Sequence, residues 1–159
     1  MADGGAFPSI EKPMTPLDPR IAGDCRGMNF YRADPAFRNL LDLYLPDDLR
    51  AHLEPHYDSL GELAGGHLDH LADLSDKHGP VLHPRDRFGR DHEWIEYHPA
   101  YKEMEKIALK DYGLHAMTNR PGVFDWPKKF PYVAKYGFQY LYVQAEFGIM
   151  CPISVTDTS

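Results

Sequence analysis

The final stretch, PYVAKYGFQYLYVQAEFGIMCPISVTDTS from Pro131 to Ser159, limits the possible folds of this chain most. Tyr132, Val133, Phe138, Tyr140, Leu141, Tyr142, Val143, Ala145, Phe147, Ile149 and Met150 leave almost no polar side. A helix apolar nearly all round is expected to be buried on most of its sides. Its partners must be the helices that precede it. Lys135, Gln139, Gln144 and Glu146 interrupt the run. A membrane span needs about 20 predominantly apolar residues, so the segment reads as a core helix and no membrane partner is expected. Gly148 is expected to break the helix. Pro152 suits the first turn of a new one, where its missing N–H costs nothing. That new helix has barely begun at Ser159, so the sequence reads as truncated there.

A chain of 159 residues fits one domain, and a hydrophobic content of 43% supplies a core. The formal net charge of −7 speaks against non-specific nucleic-acid binding, which shows a basic patch or stripe. Cys25 and Cys151 lie far apart and form no disulfide framework. A reducing, cytoplasmic location is therefore expected. The N-terminal MADGGAFPSIEKP has neither an apolar signal core nor an Arg-rich transit character.

Residues 1–27 carry Gly4, Gly5, Pro8, Pro13, Pro16, Pro19, Gly23 and Gly27, and read as a flexible leader or an arm laid on a partner. Residues 28–159 read as one all-α helical domain, with a short hairpin near 81–97. Asp34 is a helix N-cap with Pro35 behind it, and Phe37, Leu40, Leu41 and Tyr44 recur at helical spacing before Pro46. Leu49, Leu53, Tyr57, Leu60, Leu63, Leu71 and Leu74 form the stripe of a long second helix. Pro55 should kink or split it, and Gly65 and Gly66 weaken its middle. His78-Gly79-Pro80 ends it. Residues 80–98 lack helical period and read as a hairpin or a loop packed by Trp94. Pro99 opens a third helix, with Tyr101, Met104, Ile107, Ala108 and Leu109 on one face and Gly113 at its end. A long connection, 114–130, leads back to the apolar run, and long ordered loops are often functional.

Nine histidines raise the question of a metal. His67 and His70, and His52 and His56, have the spacing to share a helix face. A zinc site needs three or four ligands, and neither HExxH nor CxxC occurs, so these residues read as exposed polar positions of an amphipathic helix. Asp76, Lys77 and His78 are what a helix C-terminus favours. Arg85, Arg87, Arg90, Lys128 and Lys129 are the basic concentration, either a phosphate grip or, as expected here, a solvated face. Cys151 lies near a helix N-terminus, which lowers thiol pKa values. With no His nearby in sequence, it reads as a small buried residue and not a nucleophile. No GxGxxG, P-loop or GxSxG occurs. Residue chemistry alone gives no catalytic constellation.

Three stretches nevertheless form a pattern: QAEFGIMCPISVT (Gln144 to Thr156), NFYRADPAFRNLLDLYLP (Asn29 to Pro46) and GRDHEWIEYHPAYKEMEKIALKDYGLHAM (Gly89 to Met117). Together, and in this order, they resemble the AidB-like branch of the acyl-CoA dehydrogenases. Val155 departs from the family's usual Met, and Tyr136 and Gly137 from its smaller, more helix-friendly residues. The resemblance implies the N-terminal helical domain of an enzyme that uses FAD to oxidise the α,β bond of an acyl-CoA thioester. It implies that the glutamate base and the main flavin-contacting strand belong to segments beyond the matched ones, so this chain alone is expected neither to hold FAD nor to turn over. It places Val155 and Thr156 at the start of a helix that lines the acyl pocket. The expected partners are the remainder of the enzyme or further copies of the chain. The alternative is a non-catalytic helical interaction module derived from that domain.

Overall fold

The computed structural model describes residues 22–155; most of the expected leader, and Thr156, lie outside them. Its elements are α1 (Phe30–Ala33), α2 (Pro35–Tyr44), α3 (Asp47–Gly65), α4 (His67–Lys77), β1 (Val81–Arg85), β2 (Asp91–Glu96), α5 (Pro99–Lys106), α6 (Tyr132–Val143) and α7 (Met150–Val155). A π-helical turn, Ile107–Asp111, extends α5, and a 3-10 turn, Val123–Asp125, precedes α6. The described residues are thus helical with one small hairpin, as expected.

The helix starts follow from local chemistry. Asn29 caps α1, a short helix the sequence reading did not anticipate, by accepting from Arg32 N–H at 3.1 Å. Asp34 caps α2, accepting from Phe37 N–H at 2.8 Å, with Pro35 at the first helical position. Each cap satisfies an N–H that the first turn would otherwise leave bare.

Pro55 does not break α3, which runs unbroken from Asp47 to Gly65. Its ring is exposed, while Leu53, Tyr57 and Leu60 on the opposite face are fully buried. Losing one N–H costs less than unpacking that face. The break comes at Gly66 instead, where φ is −129° and ψ −97°, so the expected long helix is two. The cause is crowding by the segment before α1. Gly27 N–H donates to the Gly65 carbonyl at 2.5 Å, and a side chain at Gly65 would collide with the Met28 carbonyl. One turn earlier, a side chain at Gly61 would meet Asn29 and Tyr31.

The hairpin pairs Val81 with Glu96, Leu82 with Ile95 and His83 with Trp94, with a bulge before Arg85. Its turn is held by the Asp86 carboxylate, which accepts from Phe88 N–H at 2.8 Å and Arg90 N–H at 3.0 Å. Trp94, expected to pack this segment, is half exposed and stacks on His83, centroids 4.4 Å apart. All of β2 is exposed, and all of β1 except the partly buried His83.

The apolar helix α6 differs from expectation. It ends at Val143, before Gly148, and only one side of it is buried. Ala134, Phe138, Leu141 and Tyr142 face the core, together with Lys135 and Gln139, while Tyr132, Val133, Tyr136 and Tyr140 face outward. Helix geometry decides this: at 3.6 residues per turn positions 134, 138, 141 and 142 share the side that packs inward, and 132, 133, 136 and 140 fall on the other. Leu40 and Tyr44, which share the helical spacing of Phe37 and Leu41, are likewise exposed on neighbouring α2. Two buried tyrosines tie α6 inward. Tyr57 O–H donates to the Ala134 carbonyl at 2.8 Å, and Tyr142 O–H to the Met104 carbonyl at 2.9 Å. Gly137 leaves room for the Tyr57 ring, whose oxygen would lie 2.9 Å from an added Cβ.

Candidate functional site

The turn between α6 and α7 is set by Glu146. Its carboxylate accepts from Gly148 N–H at 2.6 Å and Ile149 N–H at 2.7 Å, so the Glu-x-Gly run is a capping device. The turn lays α7 back against α6, burying Met150 and Ile153. Between the two helices lies a cleft of about 390 Å³, lined by Gln139, Val143, Phe147, Met150, Cys151, Ser154 and Val155. Val155 is thus on the cleft wall, 59% exposed. Cys151, expected to be buried, is exposed and lines this open cleft. Gln139 was not singled out from the sequence; its signal was a polar residue inside the apolar run. Its Nε2 is buried and has no hydrogen-bond partner among the described residues.

A second apolar groove, about 400 Å³, runs between α2 and α6 along Phe37, Leu40, Tyr44, Val133, Tyr136 and Tyr140. Tyr140 O–H donates to Asp34 at 2.7 Å at its rim. That bond and the Phe37 N–H hold the Asp34 carboxyl below its usual pKa, the backbone donor acting more strongly.

Three of the four paired histidines make contacts within the fold. No group of three or more His, Cys, Asp or Glu among the described residues has metal-site geometry. His67 pairs with Glu103 at 2.8 Å, and His70 is exposed. His52 and His56, expected on an exposed face, are partly buried against the 122–126 segment. His52 Nε2 lies 2.9 Å from the Phe124 carbonyl, and the His56 ring stacks on Phe124 with centroids 4.0 Å apart. Phe124 and Asp125 both have positive φ, 51° and 60°, a costly conformation for non-glycine residues that persists only when its surroundings enforce it. Burial, and next the neighbouring His52, push the His56 pKa down.

The basic residues form no phosphate grip. Arg90 pairs with Asp86 at 2.8 Å and Arg85 with Asp91 at 3.8 Å on the same hairpin, and Lys128 and Lys129 are exposed in the connection before α6. At the base of the hairpin a larger cleft, about 560 Å³, opens among α4, α5 and the α6–α7 turn. Asp69, Asp73, Asp76 and Glu146 line it together with the stacked Tyr97–Tyr101 pair, whose centroids are 4.5 Å apart. No helix among the described residues is long and apolar enough to cross a membrane.

Capped helices, an exposed two-stranded hairpin and an apolar cleft between α6 and α7 fit a helical domain of the acyl-CoA dehydrogenase N-terminal type. The family described as adaptive response protein AidB N-terminal domain matches residues 22–159, and the chain belongs to it. Among solved structures, the chain is similar to one titled Bd2924 apo-form, at 25% identity and a TM-score of 0.64. That match covers 76% of this chain and 23% of the other, so the chain spans about a quarter of its length. Comparison with curated proteins gives no match.

Proposed function

We propose that this chain is the acyl-pocket wall of an FAD-dependent acyl-CoA dehydrogenase. The observation that carries this reading is the cleft between α6 and α7, which exposes the apolar side chains of Phe147 and Val155, the latter one of the two positions that the resemblance assigns to the acyl pocket. Val155 and Thr156 line that pocket in this reading. The part of this chain is to bind and orient. Glu146 fixes the entry angle of α7, and Tyr57 and Tyr142 lock α6 behind it. Ligand sites of this kind combine an apolar lining with few polar groups. FAD and the catalytic base are supplied by the remainder of the enzyme, which is the chain's principal partner, in a cytoplasmic protein.

The native polypeptide that carries this domain tests the reading. Purified, it should show flavin absorbance that bleaches on adding acyl-CoA. Val155→Trp should raise KM for long acyl chains more than for short ones, leaving the absorbance intact. A native product without flavin, or bleaching with the same chain-length preference in the variant, would overturn the proposal.

A further inference from the structure

The cleft between α6 and α7 holds one polar group that the fold leaves unmet. Gln139 lines it and is 8% exposed, and its buried Nε2 has no hydrogen-bond partner among the described residues. Buried amide groups are bonded in the great majority of cases, so an exception calls for a cause. The surroundings supply no internal one. Val143, four residues on, shares this side of α6, and Phe147 and Met150 continue an apolar lining. Lys135, one turn earlier and also buried, does not line the cleft. The other polar side chains on the wall, Ser154 and the Cys151 thiol, are exposed and open to water. Gln139 is therefore the buried polar group of an otherwise apolar site, the kind of group that fixes a ligand's orientation.

The lining also fixes what Gln139 can meet. No charged side chain lines the cleft. An ionised group brought there would lie against apolar wall without a counter-charge, at high cost. A wholly apolar chain would fill the cleft and leave the Nε2 donors bare, which forfeits the hydrogen bonds they could make. A chain with a neutral acceptor oxygen meets both conditions. The terminal torsion of a glutamine is broad, so the amide can turn an N–H towards that oxygen.

We infer that Gln139 makes this cleft selective for acyl chains that carry a neutral oxygen, as a keto or hydroxyl group, part way along an otherwise apolar chain. Nε2 donates to the oxygen, and the apolar wall takes the carbon. A site built around such a bond rejects the analogue that lacks the oxygen, because its own polar group is then left unpaired. The inference rests on the reading of the cleft as an acyl pocket and goes beyond it by naming the kind of chain.

Equilibrium titration of the native polypeptide without an electron acceptor tests it. The probes are decanoyl-CoA and its oxo isomers, with the keto group beyond the β-carbon and so clear of the reacting bond. A ketone only accepts, so it reads the Nε2 donors alone. Gln139→Leu and Gln139→Met each keep roughly the volume and remove those donors. The wild type should bind at least one oxo isomer about 5-fold tighter than decanoyl-CoA, the worth of one neutral hydrogen bond. Both variants should bind decanoyl-CoA at least as tightly as the wild type does and prefer no isomer. A wild type without a preference, or variants that keep it, would overturn the inference and leave the dehydrogenase reading standing. Weaker binding of decanoyl-CoA by both variants would make Gln139 a packing residue and overturn it equally. A wild type that binds no probe overturns both readings.

Discussion

Gly137→Ala sets two principles against each other. On propensity alone, alanine in a helix interior stabilises relative to glycine by up to about 1 kcal/mol. The packing of α6 predicts the reverse. An added Cβ would stand 2.9 Å from the Tyr57 oxygen, 3.0 Å from its Cε1 and 3.2 Å from its Cζ. Tyr57 cannot retreat easily. It is 1% exposed, its ring stacks on Phe138 with centroids 4.1 Å apart and on Tyr31 at 5.8 Å, and its hydroxyl is bonded to Ala134. Overpacking a well-filled core costs about 1–3 kcal/mol, and pulling the hydroxyl off its carbonyl adds about 1 kcal/mol more. The balance is a net loss of about 1–3 kcal/mol, or a fall in Tm of about 3–10 °C for a chain of this size.

Thermal and urea unfolding of Gly137→Ala, Tyr57→Phe and the double variant measures this. Tyr57→Phe removes the atom nearest the new methyl, so the double variant should be more stable than the sum of the two single losses predicts. A coupling of about 0.5–3 kcal/mol is normal for residues in contact. If Gly137→Ala raises the stability of the chain, or if the two losses simply add, the close approach described here is not what places glycine at this position.

Two further perturbations have defined signs. Glu146→Ala strips the two N–H groups at the start of α7 of their acceptor, and should cost about 0.5–2 kcal/mol by urea unfolding, with protease sensitivity rising in 144–155 ahead of global unfolding. His56→Phe keeps the stack on Phe124 but removes a group whose folded pKa lies below the ordinary value of 6.5. A neutral, buried histidine contributes its full stability above the unfolded pKa, and that contribution is lost as pH falls through 6.5 towards the folded value; the variant should therefore lose less stability than the wild type between about pH 7 and 5.

The helices were legible where local chemistry decides them. Asp34-Pro35, Pro99 and Gly113 mark ends whose reasons lie within a few residues, and the structure places helix termini beside them. The misreadings share one cause, a dependence on contacts distant in sequence. Pro55 looked like the break and Gly65-Gly66 like a weak middle, but Met28 and Gly27, far upstream, press on Gly65 and move the break there. His52 and His56 looked exposed because nothing local shows that residues 122–126 fold back over them. Cys151 and the outer tyrosines of α6 depended on which side of a helix meets a neighbour, and a nearly uniform apolar run carries no signal for that.

The same reasoning explains why the family pattern was readable while the chemistry was not. Gln144-x-Glu146-x-Gly148 carries no reacting group; it fixes a turn. Glu146 needs Gly148 and Ile149 N–H within 2.7 Å, and the adjacent glycine lets the chain bring both there. What the turn determines is the direction of α7, and hence whether Val155 lies on the cleft or away from it. The residue that bounds the cleft is therefore free to vary, as Val155 does from the family's Met, so long as the turn that aims it is kept. Specificity in such a domain should then follow the side chains of α7 and the inner side of α6, while the Glu-x-Gly turn shifts every ligand together. Val155→Trp and Glu146→Ala separate these effects: the first should alter the ranking of ligands by length, and the second should weaken all of them by a similar factor.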